Sequence, residues 1–396
     1  MPITKQRIQE LANSYFQDTV DNRRFLHQNP ELSFEEYNTS AYVKQKLTDL
    51  NIPFESMANT GVVGIIKGDL PSHKVLALRA DMDALPITEV EGRSYGSKNI
   101  GVMHACGHDV HTSSLLGVAK ILNNLKSEFG GTIKLIFQPG EERLPGGASL
   151  MIKEGVLQNP EPQGIVGQHV MPFIESGKVG FRSGKYMASC DELFMTVKGK
   201  GGHGAMPHQN IDPIAITAQI ITALQQVVSR NADPRTPSVL SWGKIIGNGA
   251  TNVIPDEVNL EGTFRTFDEK WRADAHERMV KMAVGIAESM GATCDFEVRK
   301  GYPFLVNEPG ITAAAQSYAI EYLGAENVVE LDLWPAAEDF AYYSQETNAC
   351  FYRLGTGNKE KGINSAVHTP TFDIDEKALE TSIGLMSYIA VQYLGN

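Results

Sequence analysis

Four short apolar runs constrain this chain more than any other feature: "VVGIIKG", "VLALRAD", "TIKLIF" and "GIVGQHV", the last at residues 164–170. Each is too short for a typical helix and rich in Val, Ile and Leu with little polar alternation, the pattern of strands buried on both faces. Between the second and third lies "SLLGVAKILNNL", where Leu115, Ala119, Leu122 and Leu125 fall at helical spacing. Strands alternating with helices predict an α/β domain whose sheet is largely parallel and covered by helices. The ends of the strands are more informative still. "VLALRAD" runs out into Asp81 and Asp83, "TIKLIF" into "QPGEER", and "GIVGQ" into His169. Open α/β sheets hold their sites beyond the carboxyl ends of the strands, so these residues form one candidate cluster.

At 396 residues the chain exceeds a comfortable single core. Ile8, Leu11 and Tyr15 mark an N-terminal amphipathic helix, and Ser33 with Glu36 reads as a capping box opening a second, with Tyr37, Ala41, Leu47 and Leu50 on its apolar face. Near residue 188 the pattern changes. "DELFMTVKG" is a strand, and 212–229 is a helix on Ile214, Ala218, Ile221, Leu224 and Val228. "SVLSWGKI" and "VNLEGTFRT" are strands, 271–288 is a helix on Trp271, Ala275, Met279, Met282 and Ile286, and "CDFEVRK" is a closing strand. That order, βαββαβ, is ferredoxin-like. "ACFYRLG" and a helix at 376–393 then resume the first pattern. The expected architecture is a catalytic α/β domain, 1–187 and 300–396, interrupted by an α+β domain at 188–299.

A net charge of −12 argues against nucleic acid or an anionic membrane as partner. The opening segment has no apolar h-region, and no run is long and apolar enough to span a bilayer. The four cysteines, 106, 190, 294 and 350, form no tight framework, which places the protein in a reducing cytoplasm with free thiols.

"MHACGHDVH", residues 103–111, is the densest collection of ligand-type side chains. Two neighbouring divalent ions need about five or six such ligands. Cys106, His108, Glu142, His169 and His368 make up a set of that kind. Adjacent Glu141 and Glu142 cannot point the same way from extended backbone, so one can bind metal while the other faces substrate. Asp81 or Asp83 could orient a ligand histidine from behind, or simply end a strand. A rival reading makes Cys106 a nucleophile with His104 or His108 as base, but leaves Glu141, Glu142, His169 and His368 without a task. "GKGGHGAMPH" is glycine-rich, yet it follows an inserted-domain strand and leads to Pro207, a poor phosphate loop.

"RRFLHQNPELSFEE", "LRADMDALPI", "HACGHDVH", "FQPGEE", "GQHVMP", "GKGGHGAMPH", "NVIPD", "GTFRTF" and "AVHTPTFDIDE" together resemble the aminoacylase and carboxypeptidase superfamily of metallopeptidases and amidohydrolases. The branch they most resemble holds hippurate hydrolases, N-acyl-amino-acid amidohydrolases and plant auxin-conjugate hydrolases. The resemblance implies that the inserted domain is a lid through which two subunits form a homodimer. It implies two divalent metal ions per subunit, zinc, manganese, cobalt or nickel, on Cys106, His108, Glu142, His169 and His368. Glu141 would be the general base, Asp83 the aspartate beside the metals, and His203 a lid histidine steadying the oxyanion. Asn252 and Arg265 would meet the substrate carboxylate. Asp81 stands where the wider superfamily has a histidine ligand, and the Cys/His motif where it has a bridging aspartate. The implied reaction is hydrolysis of a small N-acyl amino acid to a carboxylate and a free amino acid; a dipeptidase or carboxypeptidase using the same site, or a binder without turnover, are the alternatives.

Overall fold

The computed structural model describes residues 3–395, so Met1, Pro2 and Asn396, which the expected domain ranges include, lie outside it. The chain forms two compact units. The first runs through Gly184 and resumes at Val306–Leu333 and from Asp339 onward; the second takes Lys185–Leu305 with Trp334–Glu338.

The first unit is built on an eight-stranded sheet. Its strands include β1 (Phe54–Met57), β2 (Gly61–Lys67), β3 (Leu70–Asp81), β4 (Gly130–Gln138), β5 (Gly164–Glu175) and β6 (Val179–Phe181). In space the order is β1, β2, β4, β3, β5, Ala349–Gly357, β6, Val328–Glu330. The four strands β4, β3, β5 and Ala349–Gly357 are mutually parallel, and β1 and β2 add antiparallel edges. Register puts the ligand-bearing ends level: Asp81 pairs with Gln138, and Arg79 pairs with Gly167 two residues before His169. β5 is longer than the sequence indicates. It continues to Glu175, so His169 sits within the strand, opposite Arg353. Its main-chain bonds to Ala349–Gly357 carry it past the polar residue that periodicity takes as an end.

All seven residues from Val75 to Asp81 are buried, as a strand covered on both faces requires. Leu76, Leu78 and Ala80 join a core with Leu115, Val118 and Leu122 of α3 (His108–Asn124) and with the C-terminal helix Ala378–Gly395. α1 (Lys5–Gln28) buries Ile8 and Leu11 as expected, and continues to bury Arg23 and His27. α2 spans Tyr37–Asp49, but the expected capping box is not formed. Ser33 Oγ donates to Asp83 Oδ2 instead, and Glu31 accepts from Asn38 N and Thr39 N at the start of α2. Tyr37 is 60% exposed, and Thr39, Ser40, Val43 and Leu47 form the buried face.

In the second unit, strands Ser238–Ile246, Glu257–Thr266, Asp191–Lys198 and Thr293–Lys300 lie in that order, all antiparallel. Numbered by chain position this is 2-3-1-4, the ferredoxin-like arrangement. Along Asp191–Lys198, Leu193, Met195 and Val197 face the core in alternation. Helix Pro213–Gln226 buries Ile216, Thr217, Ile220 and Leu224, leaving Ile214 49% exposed, so the face is rotated from the one expected. "PIAITAQIITAL" is apolar on nearly every side, and period alone could not select the face that the sheet accepts. Helix Glu269–Ser289 buries Ala275, Met279, Ala283 and Ala287, with Trp271, Met282 and Ile286 at the margin of the core.

No helix among the described residues is long and apolar enough to cross a membrane. Leu135 is fully buried at the centre of β4. Leu135→Ala should cost about 2–5 kcal/mol in the unfolding transition of the first unit, measured by urea titration.

Candidate active site

α3 begins at His108, one residue after a glycine that no other residue could replace without strain. Gly107 has φ +79°, and a Cβ there would lie 2.6 Å from Val170 Cγ2. The tight turn delivers Cys106 and His108 side by side into the crevice above β3 and β5. Farther along the chain, His368 adopts φ +61°, an uncommon conformation for a residue with a side chain, and its N–H donates to Ala105 O at 2.8 Å. That bond returns a distant loop to the Cys106 turn.

The expected ligand set converges. Cys106 Sγ lies 3.4 Å from His169 Nε2 and 3.2 Å from His368 Nε2. Glu142 Oε1 lies 3.1 Å from His368 Nε2 and 3.9 Å from His108 Nε2. Potential ligand atoms of Cys106, His108 and His169 fall within 4.8 Å of one another, as do those of Cys106, Glu142 and His368 and those of His108, Glu141 and Glu142. The sulfur is therefore common to two triads.

Groups behind the cluster fix its tautomers. His169 Nδ1 donates to Val170 O at 2.8 Å, so the Nε2 lone pair faces the sulfur. His108 Nδ1 lies 3.1 Å from Asp83 Oδ1, and its Nε2 is buried with no hydrogen-bond partner. Asp83 also accepts from Ser33 Oγ and Glu142 N. Asp81, by contrast, turns toward Arg79 Nη1 and His111 Nδ1, each at 2.6 Å. His111 Nε2 accepts from Val170 N at 2.9 Å, which leaves that histidine no lone pair to offer. His111 and Arg79 were not singled out from sequence; only the i+3 spacing of His108 and His111 could have signalled the first. Arg79 also holds Asp339, whose backbone N–H donates to Glu141 Oε1 at 3.4 Å.

The electrostatics are those of a site crowded with negative charge. Burial and then the carboxylates of Glu142, Glu141 and Asp81 push the Cys106 thiol well above its ordinary range. Burial would depress His108, but Asp81, Asp83 and Glu142 raise it to about 10. Burial and the neighbouring Arg353 hold His169 neutral. A thiol held in its protonated form is the reverse of an activated nucleophile. Nor do the proposed bases serve it: the sulfur's partners are His169 and His368, while His104 is buried with both ring nitrogens unbonded and is depressed by burial to about 4.

The three expected lid residues lie in the second unit. His203 is exposed on Gly202–His203, paired with Val253–Ile254, and Asn252 accepts at its carbonyl from Gly204 N. Arg265, on Glu257–Thr266, donates from Nε to Thr263 Oγ1 and is not joined to the other two.

A family model described as peptidase family M20/M25/M40 matches residues 77–392. The chain belongs to this family. An N-acyl-L-amino acid amidohydrolase of Geobacillus stearothermophilus is 44% identical over 306 residues, covering 77% of this chain and 82% of its own. Thermostable carboxypeptidase 2 of Saccharolobus solfataricus is 39% identical over 378 residues, covering 94% and 95%. The crystal structure of a dinuclear metal-binding M20 peptidase from Bacillus subtilis superposes with TM-score 0.83 at 35% identity, covering 97% of this chain and 99% of that one. As an M20-family member the protein is a hydrolytic enzyme acting on amide bonds.

The turn carrying Cys106 and His108 is braced from outside by a buried knot. Arg23 Nε and His27 Nδ1 both bond Asp109 Oδ2, at 3.0 and 2.8 Å, and His27 Nε2 bonds Glu89 Oε1 at 3.0 Å. Against the upward push of burial, the bonds from His27 and Ser97 N pull Glu89 from 4.5 down to about 2. A depressed carboxylate contributes stability that is complete above its unfolded pKa and lost as pH falls through the folded one. Glu89→Gln should therefore lower the Tm above pH about 4.5, with the difference from wild type closing toward pH 2.

Proposed function

We propose that the enzyme hydrolyses N-acyl amino acids, of the acetyl or benzoyl type, with two divalent cations held by Cys106, His108, Glu142, His169 and His368. The observation that carries this reading is the sulfur shared by two triads of ligand atoms, with Glu141 beside them. The residues fit such ions. His108 Nε2 is buried without a partner and aims into the cluster, and the raised pKa of that ring reports a surplus of negative charge. Imidazole, carboxylate and thiolate together suit zinc, manganese, cobalt or nickel.

Cations bound there would lower the pKa of water and polarise the scissile carbonyl. The chain's own residues do the rest. Asp83 orients His108, and Asp81 orients His111 and through it the main chain at Val170 beside His169. Glu141 takes the proton of the attacking water and delivers it to the leaving nitrogen, so one carboxylate serves as base and then as acid. His203, whose Nδ1 accepts from Ala205 N and whose Nε2 therefore carries the hydrogen, donates to the carbonyl oxygen as it becomes an oxyanion. Asn252 and Arg265 hold the α-carboxylate of the amino acid. In this reading the segment 188–299 is a lid and dimerisation domain on a catalytic domain of 1–187 and 300–396, and the protein works as a cytoplasmic homodimer.

The carboxypeptidase relative favours one second reading, cleavage of a C-terminal residue or a dipeptide at the same site. A panel of N-acetyl and N-benzoyl amino acids run against dipeptides, with metal analysis of the purified protein, separates the two by relative kcat/KM. Chelation should abolish turnover and added divalent metal restore it; activity surviving complete metal removal would return Cys106 to the role of nucleophile. Glu141→Gln should retain bound metal and lose about 10²–10⁴ in kcat. Asp83→Ala, which strips His108 Nδ1 of its acceptor, should weaken metal binding by about 10–100-fold, read by competition with a chromogenic chelator.

A further inference from the structure

The turn that carries Glu141 and Glu142 lies beyond the end of β4, and two buried carboxylates grip it from either side of Glu141. Asp83 Oδ2 accepts from Glu142 N at 2.9 Å. Glu36 Oε1 accepts from Gly140 N at 2.8 Å and from Phe34 N at 2.8 Å, and its Oε2 accepts from Thr60 Oγ1 at 2.7 Å. Glu36 is wholly buried, at 0% exposure. The fit around Gly140 is close. Its φ is +57°, and a Cβ there would lie 2.3 Å from the Phe34 ring. Phe34 is itself at φ +69°, the conformation that brings its N–H and ring to the same carboxylate and the same turn. Among the described residues no cation is bonded to this carboxyl, which ties the main chain of Gly140 to that of Phe34 and to the Thr60 hydroxyl.

We propose that Glu36 is a positioning residue: through Gly140 N–H it sets the height of the Glu141 carboxylate for proton transfer. The proposal rests on the role given to Glu141 above. Burial, reinforced by the neighbouring Asp83, pushes the Glu36 carboxyl up to about 7, so an amide is a fair replacement. Glutamine can accept both main-chain N–H groups at its oxygen and donate to Thr60 Oγ1 from its nitrogen.

The test compares Glu36→Ala, Glu36→Gln, Thr60→Val and Glu141→Gln in the full-length, metal-loaded enzyme, on the N-acyl amino acid that the panel shows to be turned over fastest. Glu36→Ala should lower kcat by about 100-fold, as a misplacement near 1 Å can, with KM and bound metal unchanged because Asp83 still holds Glu142. Glu36→Gln should restore kcat nearly to the wild-type value. Thr60→Val, which keeps the shape and removes one bond to Glu36, should cost about threefold to tenfold. Wild-type kcat per folded, metal-loaded molecule in Glu36→Ala would overturn the proposal, and so would a Glu36→Gln as impaired as the alanine variant. If Glu36→Ala does not fold, wild-type turnover by Thr60→Val overturns it. An inactive Glu141→Gln alongside a fully active Glu36→Ala means that this inference alone has failed; an active Glu141→Gln removes it together with the reading beneath it.

Discussion

Four carboxylates and a thiol are gathered at one place in the crevice, and the rest of the first unit is arranged around that concentration of negative charge. Asp81 and Asp83 are at most 1% exposed, Glu141 and Cys106 at most 7%. Carboxylates removed from water need partners, and each partner here has a direction. Arg79 and His111 take Asp81; Ser33 and the Glu142 main chain take Asp83. Once those bonds are made, the atoms still facing one another across the cluster are the Cys106 sulfur, His108 Nε2, His169 Nε2, His368 Nε2 and the Glu142 carboxylate. The same concentration of charge raises the pKa of the His108 ring and, after burial, that of the Cys106 thiol. In the proposed function, divalent cations would meet the same demand for positive charge.

Holding such groups in place requires a frame that does not yield. The parallel strands provide it, because their hydrogen-bond register sets Asp81 and His169 level and starts the Glu141 turn from the same edge. α3 contributes by starting at His108, with Gly107 making the turn that a Cβ would block. Its first turn is tied down by Arg23, His27 and Asp109 in a buried knot. The loop bearing Glu141 lies outside helix and strand and is held by the side chains of Asp83 and Glu36 and by the Asp339 main-chain N–H.

Much of this was legible in the residues. Short, largely apolar runs announced buried strands because a half-exposed strand alternates; three of the four are parallel in the sheet, while Gly61–Lys67 runs antiparallel, and ligand-type residues just beyond the parallel strands marked the crevice. Residue type and placement after strands point to Cys106, His108, Glu142, His169 and His368, and the fold brings their ligand atoms together. The misses share a cause. Ser33 and Glu36 sit at capping-box spacing, yet both turn inward, because a carboxylate 50 residues away at Asp83 and a main-chain N–H at Gly140 compete successfully with the local helix start. His111 reads as one more histidine of a motif, and only the Val170 N–H on its Nε2 shows that it supports the cluster from behind. The face of the helix Pro213–Gln226 was misjudged because its sequence is apolar all round.

The sequence by itself determined the class of fold, the βαββαβ order of the inserted segment and the chemical kinds of side chain the site would hold, since periodicity and residue type are local properties. Tertiary structure alone decided which nitrogen of each histidine is available, which aspartate stands behind which ring, and that Glu36 serves the Glu141 turn. Those are matters of distance between groups far apart in the chain, and only closure of the sheet and the loops above it brings them within hydrogen-bonding reach.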